Sequence, residues 1–426
     1  MNMSRRVPYQ FSVAGLLLLL LTAGTATAQT GSAQISGTIK DSSGAVVPMA
    51  SITVQNERTA VARTTIADDH GYFVVAGLQA STYRVQASAR GFATADARGV
   101  VVLTGESVTL TLELRLAGLS ESIIVNATQE ATVDSSSARI GANVNEREVN
   151  SLPLNGRQLS QLYLQAPGSA NTGSGTFFDI RFSGRSNEQN AIRFDGIEGS
   201  AVIDSSPGNL NGELPSPFRL QTSLENVQEF RVDSSNYPAE YGTGTGGQIS
   251  VTTKSGSNQF HGSAFEYLRN DVFDARNFFD KVGKAPLRLN QFGASLGGPI
   301  IQNKFFFFGS YEGYRLRSGI NIVEAVPSDA VRPRAVAAIA PLIDAFRGPG
   351  AFRLAGASTN PDFDIYQLQS GVVVDENSAG LRLDYKINER FTMYGRYFRD
   401  QGTTSQPEGV TGRRSRIASA TGWFVR

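Results

Sequence analysis

The chain has 426 residues, with 39 Lys and Arg against 38 Asp and Glu, so its formal net charge is +1. The length favours several domains, and the balanced charge excludes the strongly basic surface that nucleic-acid binding needs. Because cysteine is absent and only two histidines are present, disulfides, thiolate metal sites and His-rich zinc sites are excluded, and we expect no cofactor. The 44 glycines and the 18% of charged residues favour a β-rich chain with many turns.

Residues 1–28 have the organisation of a secretory signal peptide. Arg5 and Arg6 precede the apolar stretch 13–21, and Ala26 and Ala28 give the small-residue pattern found before a cleavage site. The alternative is a retained N-terminal anchor. Because no later run of 18 apolar residues follows, the exported chain is expected to be either soluble or an outer-membrane β-barrel.

Residues 33–117 alternate apolar and polar positions between closely spaced turn signals, which predicts a small β-sandwich. Predicted strands cover 34–39, 50–54, 72–75 and 83–87, and His70 is interpreted as a turn residue. The last predicted segment places five apolar side chains on one face: Val108, Leu110, Leu112, Leu114 and Leu116.

This segment resembles the carboxypeptidase regulatory-like domain. The resemblance rests on residues that occur in the family order: Gly37, Thr65, Asp68, Gly71, Phe73, Leu78, Tyr83, Gly91 and Phe92. Ser81 departs from the pattern, since the family usually has Gly before the Tyr. The resemblance implies no catalysis, because this module lacks the zinc ligands of the peptidase.

Residues 118–129 contain an acidic residue, a hydroxyl and then β-branched residues, in the order Glu121, Ser122, Ile123, Ile124 and Val125. Such an extended segment can pair with an exposed sheet edge. It resembles the TonB box of TonB-dependent receptors, which implies a TonB-type energy-coupling protein as partner. The alternative is that this segment is the last strand of the sandwich.

Residues 130–256 resemble the plug domain of the same family. A short helix is expected before Pro167, and the segment 223–232 is expected to pass from a helix into a strand. Phe182, Ile192 and Phe194 are predicted strand cores. The plug motif is carried by Arg181, Gly184, Asp195, Gly196, Tyr241, Gly242, Gly246 and Gly247, with a tight turn at Asp195-Gly196. The early part of the motif matches only partly, because Phe182-Ser183 separates Arg181 from Gly184.

Two enzymatic motifs match by letters alone. Gly242-x-Gly244-x-x-Gly247 has the spacing of a dinucleotide fingerprint, but it precedes a predicted strand instead of opening a helix. Gly293-Ala294-Ser295-Leu296-Gly297 matches a nucleophile elbow, but Ser295 lies inside an alternating strand. We therefore expect no enzyme.

Residues 257–426 are predicted to begin a transmembrane β-barrel. Leu381, Leu383 and Tyr385 alternate with polar residues, as do Met393 and Tyr397, so one face suits lipid and the other a polar lumen. Predicted strands lie near 260–269, 288–297, 304–315, 378–386 and 390–399, with another from about 412. Long and short links alternate between them, which favours a barrel over an ordinary antiparallel sheet in water.

The long link and the phenylalanine run of this region give two further predictions. The link after residue 315 is predicted to hold a helix over 329–346, kinked at Pro341. The run 305–308 is four phenylalanines, which suits either an aromatic girdle or a contact with the plug. The segment 293–312 resembles the first barrel strands of Oar-like TonB-dependent transporters. Because such a barrel needs about 22 strands, the sequence is expected to be the N-terminal part of a longer protein.

The predicted fold class is therefore mainly β: a periplasmic sandwich, an α+β plug and the first strands of an outer-membrane barrel. The resemblance implies energy-coupled uptake of a large solute, with ferric chelates, oligosaccharides and peptides all open. Solute contacts are expected from the plug loops 168–175 and 187–190, and the barrel contacts outer-membrane lipid. The alternative is an outer-membrane structural or adhesion protein of the same architecture without transport.

Overall fold

The computed structural model describes residues 33–116, 123–126, 138–154, 157, 159–172, 180–199, 223–237, 241–242, 244–276, 283–388, 391–411 and 413–425, with side chains omitted for 123–126 and after 416. The predicted signal peptide, Glu121 and Ser122 lie outside the described residues. Among the helices that are described, none is both long and apolar enough to cross a bilayer.

The N-terminal domain is a two-sheet sandwich, as predicted. Its strands are β1 (Ala33–Asp41), β2 (Ser51–Asn56), β3 (Ala62–Ile66), β4 (Tyr72–Leu78), β5 (Ser81–Ser88), β6 (Ala95–Val102) and β7 (Ser107–Leu114). One sheet has the order β4-β1-β7 and the other begins β3-β2-β5-β6. Ile35, Ile52 and Val85 are fully buried between the sheets. The prediction for Leu116 is wrong: its side chain is 74% exposed, because β7 ends two residues earlier.

The second sheet of the sandwich is completed by strand β8 (Ile123–Asn126), which belongs to the predicted coupling segment. It pairs in parallel with β6, with Ile123 opposite Ala95 and Asn126 opposite Arg98. The structure therefore has this segment as the last strand of the sandwich sheet, which was the alternative interpretation. The coupling role of the segment stays a prediction.

A central domain follows, built on one mixed sheet. It contains β9 (Ile140–Val144), α1 (Glu146–Ser151), a 3₁₀ helix (Leu159–Gln165), β10 (Ser169–Asn171), β11 (Ile180–Phe182), β12 (Ala191–Phe194), β13 (Ile197–Glu198), a 3₁₀ turn (Leu224–Asn226), β14 (Val227–Ser235) and β15 (Gln248–Thr253). The sheet order is β13-β12-β15-β14-β9, and β10 pairs with β11 beside it. The helix before Pro167 and the helix-to-strand step at 223–232 are confirmed.

Local sequence explains the elements of the central domain. Asn145 begins α1 with a capping box, in which its side chain accepts from the Glu148 amide and the Glu148 carboxylate accepts from the Asn145 amide. Phe182, Ile192 and Phe194 are buried, as predicted. These apolar side chains hold the helical turns and the sheet around one core.

Gly247 shows why the predicted glycine motif needs glycine. A Cβ at this position would lie 2.3 Å from the Cδ2 atom of Phe182. The side chain of Asn190 fixes the same contact by accepting from the Gly247 amide at 2.9 Å and donating to the Ile180 carbonyl at 2.9 Å. The close approach of Phe182 and the hydrogen bond to Asn190 therefore explain the glycine at position 247 by packing inside the central domain.

The C-terminal region is a single antiparallel sheet. Its strands are β16 (His261–Asn270), β17 (Leu287–Ile301), β18 (Phe305–Pro327), β19 (Phe352–Arg353), β20 (Phe363–Lys386), β21 (Thr392–Pro407) and β22 (Arg414–Val425). The order is β16-β17-β18-β20-β21-β22, with β19 beside β20, and the sheet is not closed within the described residues. We call it the barrel sheet.

The two faces of the barrel sheet differ in the way the sequence predicts. Leu381 and Tyr397 are directly opposite each other and are each 45% exposed on the outer face. Arg382 and Arg396, the next residues towards the inner face, are buried against the central domain. The run of four phenylalanines divides in the same way, because Phe306 and Phe308 are buried while Phe305 and Phe307 alternate with them.

Two expectations for the barrel sheet are corrected. Strand β18 continues past residue 315 to Pro327, and β20 begins at Phe363 instead of near 378. The link between them is therefore shorter than expected. The predicted kinked helix over 329–346 is wrong: the segment forms two short 3₁₀ helices, Asp329–Arg334 and Ala340–Phe346. Pro333 and Pro341 each remove a helix donor, which prevents one continuous α-helix.

Gly247→Ala should lower the free energy of unfolding by about 1–3 kcal/mol, because the added methyl group overlaps the Phe182 ring. Gly371→Ala, in β20, is the matched control, since no atom lies within 4 Å of its added Cβ. Urea unfolding of both variants measures the difference. Equal losses in the two variants would contradict the packing argument.

Candidate functional site

The turn between β12 and β13 carries a carboxylate, Asp195, at the interface between the central domain and the barrel sheet. Asp195 and Gly196 have φ angles of 50° and 84°, which form the tight turn predicted for this pair. Asp195 accepts from the Thr253 amide at 2.8 Å and from the Thr253 hydroxyl at 2.6 Å. These two bonds fix the carboxylate at the edge of the central domain.

Two arginines of the barrel sheet meet this carboxylate. The Arg396 Nη1 atom lies 2.9 Å from Asp195 Oδ2, and the Arg382 Nη1 atom lies 3.5 Å from the same oxygen. Arg382 also donates to the Thr253 carbonyl at 3.2 Å and pairs with Asp384 at 2.8 Å. At most a tenth of the Asp195, Arg382 and Arg396 side chains is exposed. Removing one partner from such a buried group leaves an uncompensated charge, so the loss of any one of these side chains should be strongly destabilising.

A second charged cluster lies at the 3₁₀ turn before β14. Arg157 pairs with Glu225 at 2.8 Å, and its guanidinium lies over the Phe265 ring of β16, 4.1 Å from the centroid. Glu225 accepts from Ser263 of β16 at 2.6 Å. Burial opposes ionisation of Glu225, but the Ser263 hydrogen bond and the charges of Lys254 and Arg157 together hold its pKa below the ordinary value.

Polar side chains of the barrel sheet form hydrogen bonds with the central domain near this second cluster. Glu312 of β18 is fully buried, accepts from Ser223 of the central domain, and also accepts from Gln291 of β17 at 2.6 Å. Ser310 donates to Asn226 of the central domain. Hydrogen bonds that are removed from water and bear a charge are the strong ones, so the interface is specific as well as tight.

The sandwich is tied to the same domain through β14. The Glu229 carboxylate accepts from both the amide and the hydroxyl of Thr104, and Gln228 donates to the Ala80 carbonyl at 2.9 Å. The Thr104 hydroxyl also lies 2.6 Å from the Thr252 hydroxyl of β15. Burial raises the pKa of Glu229 to about 7, although the Thr104 hydrogen bonds lower it and Glu106 and Glu146 raise it further.

The predicted site residues that the structure describes separate into four groups. Asp195 and Gly196 lie at the interface. Tyr241, Gly246 and Gly247 lie in the central domain, where Tyr241 is buried and donates to Asp233 at 3.2 Å. Arg181, Gly184 and Gly242 are exposed, and Gly184 and Gly242 have φ angles of 73° and 69°. Ile123, Ile124 and Val125 lie in β8.

Sequence reasoning missed the partners that complete the interface: Arg157, Glu225, Glu229, Glu312 and Thr104. Arg382 and Arg396 are among the polar residues that alternate with Leu381 and Tyr397, so the sequence predicted only that they lie on the polar face. One signal was available, because charged residues at inward positions of a barrel strand are costly unless they are paired. The alternation of side chains along a strand predicts which face a residue lies on, but it does not predict which residue it pairs with.

The two enzymatic motifs do not form catalytic sites. Ser295 lies in the middle of β17, and its hydroxyl lies 2.8 Å from the Ser263 hydroxyl and donates to Glu225 at 3.2 Å. The strand–turn–helix of a nucleophile elbow is therefore absent at this serine. The glycines at 242–247 lead into β15 and not into a helix, so they do not form the dinucleotide motif.

Comparison with known families agrees with this architecture. Residues 34–115 match the carboxypeptidase regulatory-like domain, and residues 252–422 match the outer membrane β-barrel domain. These matches correspond to the sandwich and to the barrel sheet.

Curated and solved proteins add a more specific relationship. The chain is 27% identical over 282 residues to the TonB-dependent transporter Oar of Myxococcus xanthus, covering 62% of this chain and 24% of that protein. It thus spans about a quarter of the length of that relative. The ferric enterobactin receptor of Pseudomonas aeruginosa aligns over 62% of this chain and 33% of its own, with 17% identity and a TM-score of 0.38. Wild-type catechol 1,2-dioxygenase of Acinetobacter radioresistens aligns over 24% of this chain and 60% of its own, with 12% identity and a TM-score of 0.17. At TM-scores this low, neither structural alignment is used to assign a fold or a function to this chain.

The sandwich, the central domain and the barrel sheet together define an outer-membrane β-barrel protein with a regulatory-like N-terminal module. The chain is an Oar-like homologue of the TonB-dependent transporters. It is accordingly a protein of the outer membrane.

Stability of the docked sandwich should depend on pH through Glu229. Its pKa is about 7 when folded against an ordinary value of 4.5, so unfolding between these pH values releases a proton. The stabilisation is complete below about pH 4.5 and is lost as the pH rises to about 7, by up to about 3 kcal/mol. Glu229→Gln, which stays neutral, should remove this dependence.

Thermal unfolding of the full chain at pH 5 and pH 7.5 measures the effect. Glu188→Gln is the matched control, because Glu188 is exposed in the same domain. Persistence of the wild-type pH dependence in Glu229→Gln would show that another group is responsible.

Proposed function

We propose that this chain is the coupling, plug and early barrel region of a transporter that takes up a large solute through the outer membrane with energy from a TonB-type protein. The central domain acts as the plug. The observation that carries the proposal is the buried contact of Asp195 with Arg382 and Arg396, which seats the central domain on the inner face of the barrel sheet. The homology to Oar supports the same function.

The sandwich is proposed to lie in the periplasm. The Asn258 amide, just before β16, donates to the Arg58 carbonyl of the sandwich at 2.9 Å. This contact is near the end of the barrel sheet where the links are short, at 302–304 and 387–391. Short links face the periplasm in outer-membrane barrels, so a partner in the periplasm has access to the sandwich.

The coupling segment is proposed to bind its partner by strand addition. Strand β8 is the last strand of its sheet, so one edge of its backbone lies at the edge of the described sheet while the other pairs with β6. A partner strand adds to that edge or replaces β6. Force on β8 then passes to the central domain, which follows it in the chain.

The solute class remains open among ferric chelates, oligosaccharides and peptides, and its contacts are proposed in the loops 168–175 and 187–190 and in the exterior barrel links. The second candidate function, a structural or adhesion protein, shares the architecture but predicts no energy-driven movement of the central domain. A test that does not need the solute therefore separates the two.

Ser234→Cys provides that test. Ser234 is fully buried in β14, and the chain has no native cysteine, so a maleimide reports only on this position. In energised cells the transporter should expose Cys at 234 and become labelled, whereas a protonophore should suppress labelling. Adding Ile124→Pro should also suppress it, because proline removes an amide and fixes φ in the coupling strand.

Ile124→Ala is the matched control, since it keeps the amide and should label normally. Crosslinking of the segment to the coupling protein should follow the same order. Equal labelling with and without the protonophore, or unchanged labelling in Ile124→Pro, would favour the structural candidate and remove the transport mechanism.

A further inference from the structure

The outer face of the barrel sheet changes character along its strands. Contacts with the central domain identify the inner face, so residues of opposite parity point outwards. Leu296, Leu381 and Tyr397 are exposed in this apolar part. Further from the short links, the outward positions become Asn377, Asp375 and a group of arginines.

The arginine cluster is formed by Arg288 of β17 with Arg315 and Arg317 of β18. Arg288 is exposed and directly opposite Arg317 in the strand pairing. Arg317 pairs with Asp375 of β20 at 2.8 Å, and Arg315 lies 3.7 Å from the same carboxylate. Arg414 and Arg416 of β22 are exposed further along this face, and Arg414 reaches back to the Gly371 carbonyl of β20 at 2.8 Å.

The cluster lies at the expected height of a lipid headgroup layer. Strand β20 ends at Lys386, beside a short link, and Tyr385 is the residue before it. Asp375 lies ten residues before Tyr385 on the same strand. Ten residues of a strand tilted by about 40° rise by about 25 Å, which is the height of the apolar band of an outer-membrane barrel. The arginines therefore begin where the hydrocarbon ends, on the side away from the sandwich.

The charges at the outward positions of β17, β18 and β20 are not balanced. Arg288, Arg315 and Arg317 carry three positive charges and Asp375 carries one negative charge, which leaves +2. Like charges directly opposite each other on a sheet are destabilising, and here Arg288 faces Arg317. An anion between the guanidinium groups would relieve this repulsion, and phosphate suits their planar donors.

We propose that Arg288, Arg315 and Arg317, extended by Arg414 and Arg416, bind the phosphate groups of an anionic lipid in the outer leaflet. The ligand is membrane lipid and not free phosphate, because the guanidinium groups flank an apolar surface that acyl chains cover. The site is independent of transport, since it lies on the face of the sheet opposite the central domain.

The test uses the full chain purified in dodecyl maltoside and titrated with fluorescent diphosphoryl lipid A. The double variant Arg288→Gln with Arg317→Gln should weaken binding by about tenfold to thirtyfold, because each arginine near a lipid surface contributes a similar increment. Both side chains are at least partly exposed, so the variant should fold. Arg90→Gln with Arg334→Gln makes the same charge change at exposed positions outside the patch and should bind normally.

Two further titrations distinguish the sources of phosphate. Dephosphorylated lipid A should bind the unsubstituted chain at least about tenfold more weakly. Inorganic phosphate at the lipid's concentration should displace little of the bound lipid. Unchanged affinity in the double variant, equal binding of the dephosphorylated lipid, or full displacement by inorganic phosphate would each overturn the proposal.

Discussion

The carboxylate of Asp195 is the constraint on which the arrangement of the central domain and the barrel sheet depends. It lies on a turn that only a few residue pairs form readily, and two bonds from Thr253 hold it there. Two buried arginines of the barrel sheet would be left without their shared partner if it were lost. The same contact that orients the central domain therefore also makes the polar inner face of the barrel sheet stable.

From this contact the molecule forms a continuous mechanical connection. Strand β15 carries Thr253 and pairs with β14, and β14 carries Glu229, which holds Thr104 of the sandwich. The sandwich in turn pairs its β6 with the coupling strand β8. A force on the coupling segment thus meets the pairing of β8 with β6 first and then passes along the chain to the central domain. The Glu229 contact and the Asp195 cluster are the interactions that hold the central domain against that force.

Much of this architecture follows from local pattern, and the remainder does not. The alternation of Leu381 and Arg382 predicts a sheet between two different environments, because the side-chain period of a strand is two. The Asp195-Gly196 turn follows from residue type alone. Arg396 and Asp195, however, are 201 residues apart, and no period in the sequence indicates which charge pairs with which. The pairing of β8 with β6 was left open for the same reason, since its backbone fits any free edge. The prediction of a helix over 329–346 was wrong because the apolar spacing was given more weight than Pro333 and Pro341.

A double-mutant cycle between Asp195→Asn and Arg396→Gln tests the central claim most directly. The free energy of unfolding of the full chain in detergent micelles is measured for the two single variants, the double variant and the parent. If the buried pair holds the central domain to the barrel sheet, the losses will be non-additive by at least about 1 kcal/mol, because either single change already breaks the contact. Losses that add within about 0.5 kcal/mol would show that the two side chains act independently, and would contradict the account.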